Sequence, residues 1–94
     1  MADIYRALDD GTRRLILDSL AARDGQSLFE ICTTLVMRHD VSLTRQAVSQ
    51  HLAVLEEAGL VRSERRGRCK FHHFDPAPLA EITARWPVQE RKHP

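Results

Sequence analysis

The side chains best suited to chemistry in this sequence are long, polar and mostly basic, and they suit contact with nucleic acid. Between positions 62 and 70 the chain carries five bases against one acid, which are Arg62, Arg65, Arg66, Arg68 and Lys70 against Glu64. The net charge of all 94 residues is only +1, so this run is a local basic patch on a nearly neutral protein. Such a patch is typical of a surface that contacts phosphates, and a solvated charged hairpin is the other interpretation.

A second polar set precedes the basic run, on a segment with helical periodicity. The apolar residues Val48, Leu52 and Leu55 mark the buried face of that helix. The opposite face carries polar residues near the helix start, which are Arg45, Gln46, Ser49 and Gln50, with Thr44 before them as one of two candidate caps beside Ser42. Arginine can bind guanine with two hydrogen bonds, and glutamine can bind adenine in the same way. Alone, this set would be read as a solvated helix face; followed by a basic hairpin, it predicts DNA recognition.

The cysteines and histidines are too dispersed to predict a metal site or a redox centre. Cys32 lies on the apolar stripe of the third helix, so core packing is favoured over metal ligation. Cys69 has no second cysteine nearby to resolve an oxidised thiol. His51 is expected to pack on its helix or to contact phosphate, and His72 and His73 point to opposite faces of a strand. We therefore expect no bound metal and no cofactor.

An enzyme is not expected either. The sequence has no glycine-rich phosphate loop, no nucleophile elbow and no pair of carboxylates in a recognisable frame. It also lacks the basic flank and apolar stretch of a signal peptide, and no apolar run reaches the length of a membrane span. Because the two cysteines form no disulfide framework, a reducing, cytoplasmic location is the expectation.

The elements that must position the polar residues follow from the periodicity of the chain. Two short helices open it, and Asp10 is a suitable N-cap for the second. Ser27 and Glu30 match the capping box that starts a third helix. A connection over residues 37–43 leads to the helix with the polar face, which Gly59 should end in a Schellman motif.

After Gly59 the spacing of apolar residues changes from helical to strand-like. Two strands flank a turn at Arg66-Gly67 and predict a β-hairpin. Asp75-Pro76 then predicts the start of a last helix, which Pro87 ends and whose apolar stripe consists of Leu79, Ile82 and Trp86. The predicted fold class is mainly α with a β-hairpin wing (α+β), a winged helix-turn-helix. We expect one domain over residues 1–86 and a C-terminal tail over 87–94.

Two stretches resemble the ArsR/SmtB family of winged helix-turn-helix repressors. Residues 7–17 read ALDDGTRRLIL and are similar to the pattern with which the family opens. Residues 48–61 read VSQHLAVLEEAGLV and are similar to the family's recognition helix and first wing strand. The resemblance extends from about Ile4 to Trp86. It implies a transcriptional regulator that binds double-stranded DNA, with repression as the usual outcome.

The resemblance also implies a homodimer whose first and last helices pair across a two-fold axis and which reads an inverted repeat. The residues agree with this, since a small domain with leftover apolar surface is expected to self-associate. The candidate interface residues on the terminal helices are Ile4, Leu8, Leu79, Ile82 and Trp86. Ordinary packing in the core of one protomer is the alternative for each of them.

Two departures from the family pattern stand out. The connection over residues 37–43 is several residues longer, so either the third helix is extended or a loop is inserted. Gly11 replaces the usual proline at the start of the second helix. The alternative function is a winged-helix module that binds another protein without binding DNA, but such a module would not need the basic residues of the wing.

Overall fold

The first four helices begin where a polar side chain accepts a hydrogen bond from a backbone N–H group of the first turn. The fold is taken from a computed structural model, which describes residues 3–89. In chain order its elements are α1 (Ile4–Leu8), α2 (Gly11–Ala22), β1 (Gln26–Ser27), α3 (Leu28–His39), α4 (Arg45–Glu57), β2 (Val61–Arg66), β3 (Cys69–Phe74), a 3₁₀ turn (Ala77–Leu79) and α5 (Ala80–Arg85).

Capping explains why α3 and α4 start where they do. The Ser27 hydroxyl accepts from the N–H of Glu30 at 3.2 Å, and the Glu30 carboxylate accepts from the N–H of Ser27 at 3.1 Å. This confirms the predicted capping box. At α4 the hydroxyl of Thr44 accepts from the N–H of Ala47 at 3.1 Å, so Thr44 is the cap of that helix.

The end of α4 is the predicted Schellman motif. Gly59 has a φ of +77°, a left-handed conformation that a residue with a Cβ adopts only with strain. The N–H of Leu60 donates to the carbonyl of Leu55 at 2.9 Å, and the N–H of Gly59 donates to the carbonyl of Glu56 at 3.0 Å. The motif fixes the direction in which the chain leaves α4, and β2 begins directly after it at Val61.

The long connection over residues 37–43 is helical in its first three residues. Helix α3 extends to His39, and Asp40 ends it with a φ of 53° in the left-handed region. The N–H of Val41 then donates to the carbonyl of Leu35 at 2.9 Å and closes the helix end. Both possibilities left open by the sequence therefore hold in part, since α3 extends to His39 and residues 40–43 form a loop before α4.

The wing belongs to a sheet of three antiparallel strands in the order β1-β3-β2. The hairpin of β2 and β3 is confirmed, but its turn is Gly67-Arg68, one residue later than predicted, because Arg66 still pairs with Cys69. Gly67 has a φ of +61°. Strand β1 was not predicted, because it is only two residues long and is defined by its partner. Gln26 pairs with His72 and Ser27 with Phe71, so a contact far along the chain makes this strand.

The last helix is shorter than its apolar stripe predicts. Residues 77–79 form a 3₁₀ turn, and α5 ends at Arg85. The prediction of one helix through Trp86 is therefore wrong at both ends. Trp86 leaves the helical region with φ −129° and ψ 87° because the residue before a proline, here Pro87, is sterically disfavoured in the α conformation.

The apolar core lies between the middle helices and the first residue of β2. Its fully buried side chains of largest volume include Ile16 and Leu20 of α2, Ile31 and Leu35 of α3, and Val48 and Leu55 of α4 with Leu60. Each of these three helices therefore presents one apolar stripe inward and leaves its other face to solvent.

Candidate nucleic-acid interface

The N-terminal half of α4 has one buried face and one exposed polar face. Val48, Leu52 and Leu55 are at most 3% exposed, as the predicted stripe requires. The predicted contact residues are all exposed, and they are Thr44, Arg45, Gln46, Ser49 and Gln50. The structure thus brings together the α4 residues singled out from the sequence. A helix with such a face fits the major groove of DNA, where it can present donors and acceptors to base edges.

Arg45 has an aromatic neighbour that the sequence did not indicate. The guanidinium carbon of Arg45 lies 5.7 Å from the centre of the Phe29 ring, within cation–π range. Phe29 is in the first turn of α3 and is 62% exposed. An exposed aromatic side chain restricts the rotamers of an arginine without neutralising its charge, so Phe29 holds Arg45 at the edge of the exposed face. Only the packing of α3 against α4 shows this contact, since no periodicity marks Phe29.

The bases of the wing divide between the two faces of the hairpin. Directly opposed residues of antiparallel strands share a face, and Arg65 pairs with Lys70 while Arg66 pairs with Cys69. By alternation, Arg65 and Lys70 are on the same face as His72, which is buried against the body of the protein. The Lys70 ammonium lies 4.0 Å from the Glu56 carboxylate, which shows that this face is next to α4.

Arg66 is on the opposite face and is already paired. Its Nε donates to the Glu64 carboxylate at 3.1 Å, and its guanidinium lies 6.0 Å from the centre of the Phe71 ring. The same ion pair holds the pKa of Glu64 below its ordinary value. Arg68 is exposed beside the Gly67 turn. Within residues 3–89 neither Arg65 nor Arg68 forms an ion pair.

The base of the wing is anchored by a carboxylate from the turn after α2. Asp24 accepts from the N–H of Phe74 at 2.9 Å with one oxygen and pairs with Nδ1 of His73 at 2.8 Å with the other. The hydrogen bond from His73 is the main reason that the pKa of Asp24 is lowered. On the other face, Nδ1 of the buried His72 lies 3.0 Å from the carbonyl of Gln26. These contacts hold β3 to the body of the protein, and the sequence did not predict them.

The terminal helices meet on one side of the protein, but their apolar residues have different roles. Ile4 is 5% exposed in the single chain, so the alternative proposed for it, packing in the core of its own protomer, is what the structure shows. Three other candidates, Leu8, Leu79 and Ile82, are partly buried against that core. Trp86 is 58% exposed, and its ring lies edge-on to that of Tyr5 at 6.1 Å between centres.

The cysteines are separate and unalike. Cys32 is half-buried against the core, and this burial raises the pKa of its thiol, which makes it a poor nucleophile or ligand at neutral pH. Cys69 is exposed on the wing. Among the residues that the structure describes, no three side chains of histidine, cysteine, aspartate or glutamate converge as metal ligands would. The helices seen in residues 3–89 include none of sufficient length and apolarity to cross a bilayer.

Known proteins resemble this chain in sequence and in fold. Residues 3–64 match a family of helix-turn-helix domains. The uncharacterized HTH-type transcriptional regulator YuzN of Bacillus subtilis (strain 168) is 46% identical over 83 residues, which are 88% of this chain and 90% of that protein. A solved structure of a possible transcriptional regulator for arsenical resistance has a TM-score of 0.74 at 30% identity and covers 92% of this chain and 82% of its own.

A second solved structure names the family directly. The ArsR-like transcriptional regulator from Rhodococcus sp. RHA1 also has a TM-score of 0.74 at 30% identity, over 87% of this chain and 69% of its own. Both likenesses extend over most of the chain, and the relatives are named as transcriptional regulators. The chain therefore belongs to the ArsR/SmtB-type winged helix-turn-helix transcriptional regulators.

Proposed function

We propose that this protein is a homodimeric repressor that reads an inverted repeat in double-stranded DNA. The observation that carries the proposal is the exposed polar face at the start of α4, beside a basic wing. Arg45, Gln46 and Gln50 present side chains that can form paired hydrogen bonds with base edges, on a helix that Val48 and Leu52 anchor to the core. Thr44 and Ser49 add hydroxyls at the same end of the helix.

The wing supplies contacts to the phosphate backbone, which do not depend on the base sequence. Arg65 and Lys70 share the face next to α4, and Arg68 extends from the turn. This arrangement supports the assignment of phosphate contacts to these three bases. Lys70 must first exchange its 4.0 Å ion pair with Glu56 for a phosphate, and Arg66 its shorter 3.1 Å bond with Glu64, so we assign Arg66 a smaller share. Counterion release at such contacts makes affinity fall steeply with salt.

The dimer is supported by the apolar surface of the terminal helices. The rings of Trp86 and Tyr5 pack edge-on, and Leu8, Leu79 and Ile82 are only partly buried against the core. Large apolar side chains that remain exposed on a small domain usually mark association. Two copies related by a two-fold axis would present two α4 helices to half-sites about one helical turn apart, roughly 10–10.5 base pairs, or a multiple of it. Repression is the outcome that the family resemblance implies.

Selection of bound sequences from random duplex DNA tests this function and yields the half-site spacing. Gln46→Ala or Gln50→Ala should then cost about 1–3 kcal/mol per half-site on the selected sequence and much less on random DNA. Gln89→Ala is the matched control, since Gln89 is exposed outside the interface and its loss should change neither affinity. If no sequence is enriched and no binding weakens with salt, the chain is instead a module that binds another protein.

A further inference from the structure

One half-buried arginine contacts three helices, including the helix to which we assign DNA reading. The side chain of Arg13, in the first turn of α2, is 14% exposed. Its Nε donates to the carbonyl of Ala7 at 2.8 Å and its Nη2 to the carbonyl of Arg6 at 3.1 Å, so it caps the end of α1. Its Nη1 lies 3.2 Å from Nδ1 of His51, in the middle of α4. Arg13 therefore connects a terminal helix directly to the recognition helix.

The chemistry of this contact fixes the state of His51. A guanidinium has only donors and does not lose its proton in proteins, so Nδ1 of His51 has to be the acceptor. The imidazole is then neutral and carries its proton on Nε2. A protonated imidazole has no acceptor, and it would place a positive charge 3.2 Å from the Arg13 nitrogen. The contact therefore exists only with neutral His51.

We propose that His51 is a positioning residue for DNA reading: through Arg13 it holds α4 in register with α1, and binding of the specific DNA site requires its neutral form. The proposal rests on the proposed DNA-binding function and adds a proton-sensitive link between the helix pair of the dimer and the helix that reads bases. His51 directly follows Gln50 and is five residues after Gln46 on the same helix, so a rotation of α4 about this contact moves both exposed side chains.

Two charged groups at the start of α2, Arg13 and the N-cap Asp10, lie near His51 and have opposite effects on a proton there. Arg13 donates to the lone pair of Nδ1, which a protonated imidazole does not have. Asp10, whose carboxylate lies 3.8 Å from Nη1 of Arg13, attracts a positive charge on either partner. Because Arg13 makes the direct contact, acidification should break the link. The sign matters: if His51 instead contacted a phosphate, its protonation would strengthen DNA binding rather than weaken it.

The first test is the nitrogen spectrum of the imidazole in the free protein, which does not depend on DNA. With ¹⁵N-labelled protein at about pH 8, above the interval in which imidazoles titrate, His51 should show the tautomer protonated on Nε2. Arg13→Gln should change the Nδ1 signal, because the charged donor is lost. A proton on Nδ1 of the wild-type protein would overturn the inference whatever the protein does with DNA.

The second test is affinity for the selected DNA site between about pH 8 and about pH 5.5, the range in which histidine changes charge. Wild-type affinity should fall by at least about tenfold per protomer as the pH is lowered, as expected for the loss of one charge-assisted hydrogen bond. His51→Asn places an amide oxygen near the position of Nδ1 but does not titrate. It should bind within about threefold of wild type at the higher pH and keep that affinity on acidification.

His51→Leu and His39→Asn complete the set. His51→Leu keeps bulk but removes the acceptor, so it should bind specific DNA about tenfold less well even at the higher pH. His39→Asn, at the far end of α3, should keep the wild-type pH dependence and so excludes general effects of histidine titration. Wild-type affinity that rises with acid, or a His51→Asn variant as pH-dependent as wild type, would overturn the inference. Failure of the wild type to select any DNA at the higher pH would instead overturn the proposed function, and the DNA-binding part of the inference with it.

Discussion

The two faces of the wing allow phosphate contacts to be separated from bystanders by neighbouring substitutions. Arg65 and Arg66 are adjacent, equally charged and both exposed, but they point to opposite faces of the hairpin. Arg65 is opposite Lys70 on the face next to α4, whereas Arg66 is paired with Glu64 at 3.1 Å on the other face. We expect Arg65→Ala to remove a phosphate contact and Arg66→Ala to remove very little.

The expected magnitude follows from counterion release. Each lost phosphate contact flattens the slope of log affinity against log salt by about 0.9, and a symmetric dimer loses two such contacts, or about 1.8 in slope. When the salt is raised from about 50 mM to about 200 mM, the affinity of wild type should therefore fall by about ten times more than the affinity of Arg65→Ala. For Arg66→Ala the slope should change by less than about 0.5, because its charge is already balanced by Glu64.

The assay is fluorescence anisotropy with the selected duplex and with a scrambled duplex, each over a series of salt concentrations. Arg65→Ala should weaken binding to both duplexes alike, since phosphates carry no sequence information. Equal slope changes for Arg65→Ala and Arg66→Ala would refute the assignment of the two faces. A change in the preferred sequence on substitution of the wing would show that the hairpin, and not α4, reads the bases.

Three further predictions concern assembly, acid stability and metals. Trp86→Glu should convert the dimer to a monomer in sedimentation and weaken DNA binding, whereas Val88→Glu, at a more exposed site beyond α5, should change neither. A wild-type chain that is monomeric at micromolar concentration would contradict the interface. Asp24→Asn should lower the free energy of unfolding at neutral pH by about 1 kcal/mol, a small value because the carboxylate is largely exposed. The hydrogen bond from His73 lowers the pKa of Asp24, so the stability that the ionised carboxylate provides is lost as the pH falls through that pKa. Urea titrations should therefore show that the difference in unfolding free energy between Asp24→Asn and wild type becomes smaller in acid. A difference that does not change with pH would refute this. Zinc, cadmium or arsenite should leave DNA affinity within a few-fold of the metal-free value, and a stoichiometric effect that disappears in Cys32→Ser would overturn this expectation.

The elements that could be predicted from the sequence are those marked by residues close together in the chain. The capping box of Ser27 and Glu30, the Schellman stop at Gly59 and the hairpin turn at Gly67 each involve residues within a few positions of one another. Such motifs satisfy backbone groups or permit a backbone conformation without help from the rest of the chain, which is why their residue types can be recognised in a linear string. The periodicity of α4 similarly fixed which of its side chains are exposed.

The contacts that join these elements to one another are seen only in the tertiary structure. Arg13 and His51 are 38 residues apart in sequence, and Asp24 and Phe74 are 50 apart, so no local pattern records either contact. Whether Ile4 faces its own core or a second copy also depends on how α1 packs. An apolar stripe shows that one face of a helix is buried, but it does not show which surface covers that face. Contacts of this kind depend on where distant segments lie relative to one another. Burial of the shared core fixes these positions only when the whole chain has folded.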